Sequence, residues 1–371
     1  MDLAATAEQQ AVQTETRRFL AGELTRERLA VFDREPAGYD AAFWRDVGRL
    51  GWIGYGLPST YGGQDASLLD VGLLLEECGR AVAPQAVFDA IAGALALDAL
   101  GTPAQKRAWL PGVAAGERQV ALAIGERDAV ADPRAFATVL RRRGTRLTLD
   151  GAKWFVPMAA TADAFLVLAR DGRGASAVLV PADTAGVTVT PVGTLGKDRQ
   201  GVVELRNVVL APGAVAGRPG SAWPRWQRLR RRLAALLCAE CVGGADAALE
   251  MTVRHVCERQ QFGARLGTFQ AVQQMAAVMA MDLEGARHVT RQALWRLAEG
   301  LPADREVAIA KAWTARAYRD VTVLAHQLHG GAGYVLEHPL HRHSLRAKEA
   351  ELLFGSTEEW LIELGDGLRL G

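Results

Sequence analysis

The sequence predicts an α+β protein in which a helical block, a strand block and a second helical block follow one another. Three observations carry that reading. Apolar side chains recur at three- and four-residue spacing up to about residue 117, the period falls to two between about 118 and 215, and helical spacing returns from Trp223 onward. The expected division is an N-terminal helical domain over 1–117, a middle β domain over 118–222 and a C-terminal helical domain over 223–371.

In the first block, Phe19, Leu20, Leu24 and Leu29 fall on one helical stripe. Gly51–Gly63 (GWIGYGLPSTYGG) is too rich in glycine to continue a helix and reads as loop or turn. The next helix runs from about Ser67 to Gly79, with Ser67 or Asp65 available as its cap. Gly101-Thr102-Pro103 then starts another helical segment. In the second block, alternating runs flank the turn-prone Arg143-Gly144, and Asp150-Gly151 is a second hairpin signal. AFLVLAR, AVLVPA, GVTVTPV and VVELRNVVL are short β-branched runs separated by Gly, Pro and Asp, which suggests a compact β-barrel or sandwich. Long stretches with few breakers in the third block suggest a helix bundle.

Composition bounds the function classes. Of 371 residues, 49% are hydrophobic and 23% charged, a globular balance with ample chain for more than one core. Lys and Arg number 43 against 42 Asp and Glu, so there is no basic excess to bind nucleic acid. No apolar run approaches the ~20 residues that span a bilayer. The polar start, MDLAATAEQQ, lacks the order of a signal peptide, and four cysteines are too few for a disulfide scaffold. The expectation is a cytoplasmic protein with small-molecule or protein partners, no membrane span and no nucleic acid.

Two segments have chemical potential. Arg259-Gln260-Gln261-Phe262-Gly263 ends a long predicted helix, and Gln270 begins the next periodic run. An arginine there can pair with a phosphate and a phenylalanine can stack on an aromatic ring. The same residues also read as a helix C-cap glycine behind a surface arginine. Gln327-Leu328-His329-Gly330-Gly331-Ala332-Gly333-Tyr334 contains three glycines that allow close approach of a pyrophosphate to the backbone. It follows a helix, unlike the Rossmann fingerprint, and taken alone it reads equally as a helix-to-helix turn.

Together, GWIGYGLPSTYGG, EECGR at 76–80, GAKWFVP at 151–157, RQQFG with its following FQ, and QLHGGAGY resemble the acyl-CoA dehydrogenase family. The resemblance covers essentially the whole chain. It implies an acyl-CoA dehydrogenase-like fold: an N-terminal helical domain, a middle β-barrel and a C-terminal four-helix bundle. It also implies FAD, held between the barrel, the bundle and the bundle of a neighbouring subunit. On that resemblance, Arg259 and Phe262 reach the cofactor's phosphate and adenine side across the subunit boundary, and Gln270 joins them. Gln327, Gly330 and Gly331 face the pyrophosphate, Trp154 and Phe155 lie beside the isoalloxazine ring, and Glu358 is a polar position near FAD. An electron-transferring flavoprotein would reoxidise the flavin.

Two departures from the family pattern matter. Its first barrel segment usually presents a Thr-Glu pair; here Ala123–Asp128 reads AIGERD, with no hydroxyl donor and only Glu126 retained. Family chemistry removes an α-proton beside a thioester while a β-hydride moves to flavin, so a carboxylate must face the ring. Phe354 fills the usual base position near the C-terminus. The alternative position, at the start of the first bundle helix, falls at Leu233, preceded by Arg232. Catalytic residues are therefore unassigned. Glu240, Glu358 and Glu359 are the nearest displaced carboxylates, each more naturally exposed or capping.

The ELLFG and KWFVP segments resemble a subgroup common in actinobacteria, some of whose members form hetero-oligomers of two unlike chains. The expected function is an FAD-dependent acyl-thioester dehydrogenase-like chain for α,β-desaturation, acting on CoA- or carrier-bound substrate and completed by a partner chain in a homo- or hetero-oligomer. Alternatives are a non-catalytic dehydrogenase-like subunit and a flavin-dependent biosynthetic oxidase or monooxygenase on the same fold.

Three other groupings have simpler explanations. Cys238 and Cys241 read as small core side chains in a buried helix rather than a redox or zinc motif. Five histidines fall between His326 and His343, without a carboxylate at ligand spacing, so no metal site is expected. Arg225, Arg228, Arg230, Arg231 and Arg232 crowd the start of a helix against its macrodipole, which hints at an anionic partner.

Overall fold

In a computed structural model, which describes residues 5–127, 133–196 and 198–368, the helix, strand and helix blocks follow in the expected order. Asp128 of the AIGERD segment lies outside the described residues. The first helices are α1 (Ala7–Glu23), α2 (Arg26–Phe32), α3 (Ala41–Arg49), α4 (Leu68–Arg80), α5 (Ala86–Leu100) and α6 (Pro103–Ala114). The strands are β1 (Val120–Ala123), β2 (Val139–Arg143), β3 (Arg146–Pro157), β4 (Ala164–Asp171), β5 (Gly174–Pro181), β6 (Val187–Val192), β7 (Gln200–Val209) and β8 (Val215–Ala216). Then come α7 (Ala222–Glu258), a small hairpin of β9 (Gln260–Gln261) and β10 (Ala264–Arg265), α8 (Gln270–Ala298), α9 (Asp304–His329), α10 (Leu340–Leu352) and α11 (Thr357–Leu368). The chain divides into two compact units: Met1–Thr25 with Ser67–Ala83 and Arg231–Gly371, and Arg26–Ala66 with Pro84–Arg230.

The second unit is built on the sheet. Its strands run in the order β6-β7-β3-β2-β4-β5-β8, and β1 pairs in parallel with β4. Alternation explains the single-faced strands: in β7, Gly201, Val203 and Leu205 point inward between half-exposed neighbours. The apolar run of β4 is buried throughout. Phe165, Val167 and Ala169 join Leu149, Val178, Val180 and Val203 in the sheet core, where each large side chain contributes roughly 1.5–3 kcal/mol. β2 and β3 turn through Gly144 as the sequence predicts.

Asp150-Gly151 does not make the second hairpin. Both residues lie within β3, at a register shift against β7. Gly151 has φ +147°, and a Cβ on it would sit 2.5 Å from the Thr138 Cα. The Asp150 carboxylate accepts from the Asn207 amide at 2.7 Å and from Arg141 at 2.9 Å. The Asp-Gly signal therefore marks a bulge and a close approach of two strands rather than a chain reversal.

The first unit is helical. Ser67 caps α4 through a capping box with Asp70, as expected for that position. Arg17 of α1 holds the buried Glu77 of α4 with two bonds of 2.8 Å. α4 and α7 meet through glycines: a Cβ on Gly79 would collide with the Glu240 carbonyl oxygen, and one on Gly243 with that of Glu76. A second expectation fails at the end of α7, which stops at Glu258. Gly263 is not a helix cap; Phe262 (φ +54°) and Gly263 (φ +80°) form the two-residue turn between β9 and β10. Positive φ at both central residues matches the twist of a tight hairpin.

Candidate functional site

In the sheet unit, β3 carries the Trp154-Phe155 pair. The β3–β7 register skips from Lys153 to Val156, so both aromatics fall in a bulge outside that ladder. The Trp154 amide donates instead to the Gly125 carbonyl at 3.0 Å. Phe155 is held at φ +54°, a strained conformation for a residue with a Cβ, and is 57% exposed. The Arg127 guanidinium lies 5.7 Å from the Trp154 ring centre.

Beneath this bulge is a site the sequence reading missed. Lys153 is 0% exposed, and its Nζ donates to Glu126 Oε1 at 2.8 Å and to the Ile124 carbonyl at 3.1 Å. The same ammonium sits 4.3 Å from the Phe136 ring centre. Glu126 also accepts the amides of Ala137 (2.6 Å) and Thr138 (3.0 Å). Burial pulls Lys153 down to about 8 against the opposing pull of Glu126. Burial pushes Glu126 up, but Lys153 and the amides outweigh it and hold the carboxyl below its usual range. Glu126, the family-like residue of AIGERD, is thus committed to an internal ion pair. The available signal was a lysine within a strand that also holds the buried Leu149 and Val156.

In the helical unit, Arg259 follows the last turn of α7 and is exposed. Phe262, at the tip of the β9–β10 hairpin, is 90% exposed, with its ring edge-on to Phe269 at 6.3 Å. Gln270 opens α8, and Gln327 lies on the last turn of α9; both are exposed. Gly330 has φ +58° and ψ −143°, and a Cβ built on Gly330 or Gly331 meets nothing within 4 Å. That backbone face is open. The structure brings the Gln327–Gly331 turn to the end of α7, because the ring of His329 stacks on His255 at 4.3 Å and the Arg259 amide donates to the His255 carbonyl at 2.8 Å. Trp154 and Phe155 belong to the other unit.

The two expected base positions differ in setting. Leu233 is fully buried in α7. Phe354 is half-buried in the turn after α10, at φ +58°, followed by Gly355 at φ +113°. Lys311 of α9, 1% exposed, anchors that turn: its Nζ donates to the carbonyls of Ala350 (2.9 Å), Glu351 (3.4 Å) and Gly355 (3.0 Å). A buried ammonium satisfies carbonyls that the end of α10 leaves without helical partners.

The displaced carboxylates have other roles. Glu240 accepts from Arg346 at 2.6 Å, while Arg346 also donates to the Ala83 carbonyl at 3.0 Å. Burial raises the Glu240 carboxyl despite that guanidinium. Glu359 closes a capping box with Ser356 at the start of α11. Glu358 is exposed on the same first turn.

Cys238 and Cys241 are buried free thiols, and burial pushes Cys238 up to about 12, far from a reactive thiolate. Among the described residues, no group of three His, Cys, Asp or Glu is arranged to hold a metal ion, and no helix is long and apolar enough to cross a membrane. Of the crowded arginines, Arg225 donates to the Ala99 carbonyl at 2.6 Å, and Arg231 pairs with Asp304 and Glu363. Arg228 is exposed.

Comparison with known proteins adds to this geometry. Three family models match: the acyl-CoA dehydrogenase N-terminal domain over residues 6–117, the middle domain over 121–208 and the C-terminal domain over 229–367. The acyl-CoA dehydrogenase FadE27 of Mycobacterium tuberculosis is 31% identical over 92% of this chain and 91% of its own length. Among solved structures, a Tcur3481–Tcur3483 steroid acyl-CoA dehydrogenase variant is 31% identical, covers 98% of both chains and superposes with a TM-score of 0.89. The ChsE4–ChsE5 complex of Mycobacterium tuberculosis is 29% identical, covers 100% of both chains and has a TM-score of 0.92.

Proposed function

This chain belongs to the acyl-CoA dehydrogenase family, and from that membership we propose that it is an FAD-binding, acyl-thioester dehydrogenase-like subunit for α,β-desaturation whose proton-accepting carboxylate comes from an unlike partner chain. One observation carries the partner requirement. On the family resemblance Phe354 falls at the base position, and it sits on a turn held by Lys311; Leu233, fully buried, falls at the alternative position. Neither side chain can accept a proton. The similarity to ChsE4–ChsE5 and Tcur3481–Tcur3483, each named as a pair of chains, supports a hetero-oligomer.

The residues present suit a flavin dinucleotide. Arg259 offers a guanidinium to diphosphate charge, Phe262 an exposed ring to adenine, and Gly330 with Gly331 an open backbone face. Gln270, Gln327 and Glu358 supply polar contacts, and Trp154 with Phe155, lifted from the ladder by the bulge, shield the isoalloxazine ring from water. Bound FAD supplies the two-electron acceptor for the substrate's β-hydride. The chain itself orients cofactor and thioester and excludes water; the α-proton passes to the partner's carboxylate. The same reading takes CoA or a carrier protein as the thioester's other half, domain boundaries near 117 and 222, an electron-transferring flavoprotein as oxidant, and a cytoplasmic location.

The test is anaerobic titration of the purified chain with acyl-CoA thioesters, followed by the visible absorbance of the oxidised flavin. Flavin content without bleaching, and bleaching once a glutamate-bearing partner is added, is expected. Full bleaching by the chain alone refutes partner dependence.

A further inference from the structure

The Gln327–Gly331 turn is tied to α7 by a column of three imidazoles from three segments. His329, the last residue of α9, has His255 of α7 stacked on it with centroids 4.3 Å and planes 27° apart. His338, just before α10, lies against its ring at 4.6 Å and 60°. His329 is 5% exposed, and neither of its ring nitrogens has a hydrogen-bond partner. Two buried nitrogens without partners cost stability that a phenyl ring at the same place would not. His338 has a defined polarity: its Nδ1 accepts the Leu340 amide at 3.3 Å at the start of α10, which requires that nitrogen to carry no proton.

We propose that His329 is a positioning residue: clamped between His255 and His338, it fixes the Gln327–Gly331 backbone beside Arg259 for retention of the cofactor diphosphate, and the clamp opens when the column takes up a proton. The inference rests on the diphosphate reading of that turn. The groups facing the column explain its response to acid. From α7 come His255, Glu258 and Arg259; from α9, His326; from the α10 side, His338 and His341. Glu258 is the single anion among these influences, and it acts on His255 against Arg259. Burial, then the neighbouring imidazoles, pulls His329 down to about 4, and burial lowers His255 and His338 as well. An imidazolium at His329 would bury two N–H donors without acceptors, and one at His338 would lose its bond to Leu340.

The test titrates FAD by fluorescence into the apo full-length chain between about pH 5 and 7.5, the range in which histidine normally titrates, for wild type, His329→Phe and His329→Ala. Hydrogen exchange of the 326–338 segment without FAD is measured alongside. Wild-type affinity is expected to fall about tenfold from the upper to the lower pH, with faster exchange in the segment. His329→Phe keeps the stack without the two unpartnered nitrogens of His329, while His255 and His338 still titrate, so it should hold wild-type affinity within about threefold at the upper pH and lose a measurable part of the pH dependence. His329→Ala should weaken binding and speed exchange at every pH. A His329→Phe profile identical to wild type overturns the proposal, as does affinity that rises in acid, which would make His329 a direct phosphate ligand. FAD affinity unmoved by Arg259→Ala, with the pH-dependent protection of 326–338 intact, overturns the diphosphate reading while leaving the clamp standing.

Discussion

Replacing Glu126 by Gln is the sharpest test of how the sheet unit supports its aromatic bulge. The change keeps the side chain's shape but leaves one acceptor where Glu126 has two, Oε2 taking the Ala137 amide and Oε1 the Thr138 amide and Lys153 Nζ at 2.8 Å, and it removes the charge. A fully buried ammonium stripped of its partner generally costs about 3–5 kcal/mol. Lys153 has an escape route that limits this cost. Burial already lowers its folded-state value to about 8 with Glu126 beside it, and removing Glu126 lowers it further, so the variant can shed the proton near neutral pH. With the proton shed, what is lost is the charge-assisted hydrogen bond to Glu126, which gives an expected loss of about 1.5–3 kcal/mol. The double variant Glu126→Gln with Lys153→Met removes the buried charge altogether and should recover at least half of that loss. Urea unfolding read by hydrogen exchange of residues 146–157 reports the sheet unit alone, which matters in a chain of two compact units. A Glu126→Gln variant within about 1 kcal/mol of wild type would refute the reasoning, since that is less than one charged hydrogen bond. So would a double variant no more stable than the single one.

Other perturbations have equally definite outcomes. Gly243→Ala should destabilise the helical unit by at least the ~1–3 kcal/mol typical of overpacking, because its Cβ meets the Glu76 backbone and not a flexible side chain; thermal unfolding checks this. His343 is buried with Nδ1 3.1 Å from the Tyr318 hydroxyl, and burial, then Arg346, pulls it down to about 3. A histidine lowered on folding stabilises fully above its unfolded value near 6.5. Its contribution should therefore fade as pH drops from 6.5 toward about 3, and His343→Gln should flatten that part of the stability–pH curve. Arg259→Ala should weaken FAD binding by about tenfold or more with unchanged thermal stability of the apo chain, and Arg259→Lys should restore only part of it, in fluorescence titrations.

What was legible in the sequence follows the range of the interactions involved. Ser67 as the cap of α4, Thr102-Pro103 at the start of α6 and Gly144 between β2 and β3 depend on neighbours within a few residues, and all three stand as expected. Asp150-Gly151 and Gly263 misled for the converse reason. Glycine announces that a special backbone angle is needed, but whether it serves a bulge, a hairpin or a helix end depends on the strand opposite. Thr138 decides the first case and the Gln261–Ala264 pairing the second. The buried charges were hidden more deeply. Lys153 and Glu126 are separated by 27 residues, Lys311 and Gly355 by 44, and Arg346 and Glu240 by 106. Composition counts each as an ordinary surface charge. The histidine column was half visible: His329 and His338 stood in a conspicuous cluster, but His255, which makes the closest stack, lies on another helix.

This distance dependence also bears on the proposal that the chain lacks its own base. The turn that carries Phe354 depends on a remote lysine, on two successive residues at positive φ and on a capping box that begins with the next residue. The one carboxylate among those supports, Glu359, is spent on the Ser356 amide. A chain that needed only a connector there would be free of the strain at Phe354, which a residue with a Cβ bears at roughly 1 kcal/mol or more. On the proposed reading this turn is the scaffold that presents a side chain at the base position, and the side chain it presents, Phe354, cannot take a proton. Retention of the turn with an apolar tip fits a chain whose surface at this place still has to match something: substrate, cofactor or the partner that brings the carboxylate.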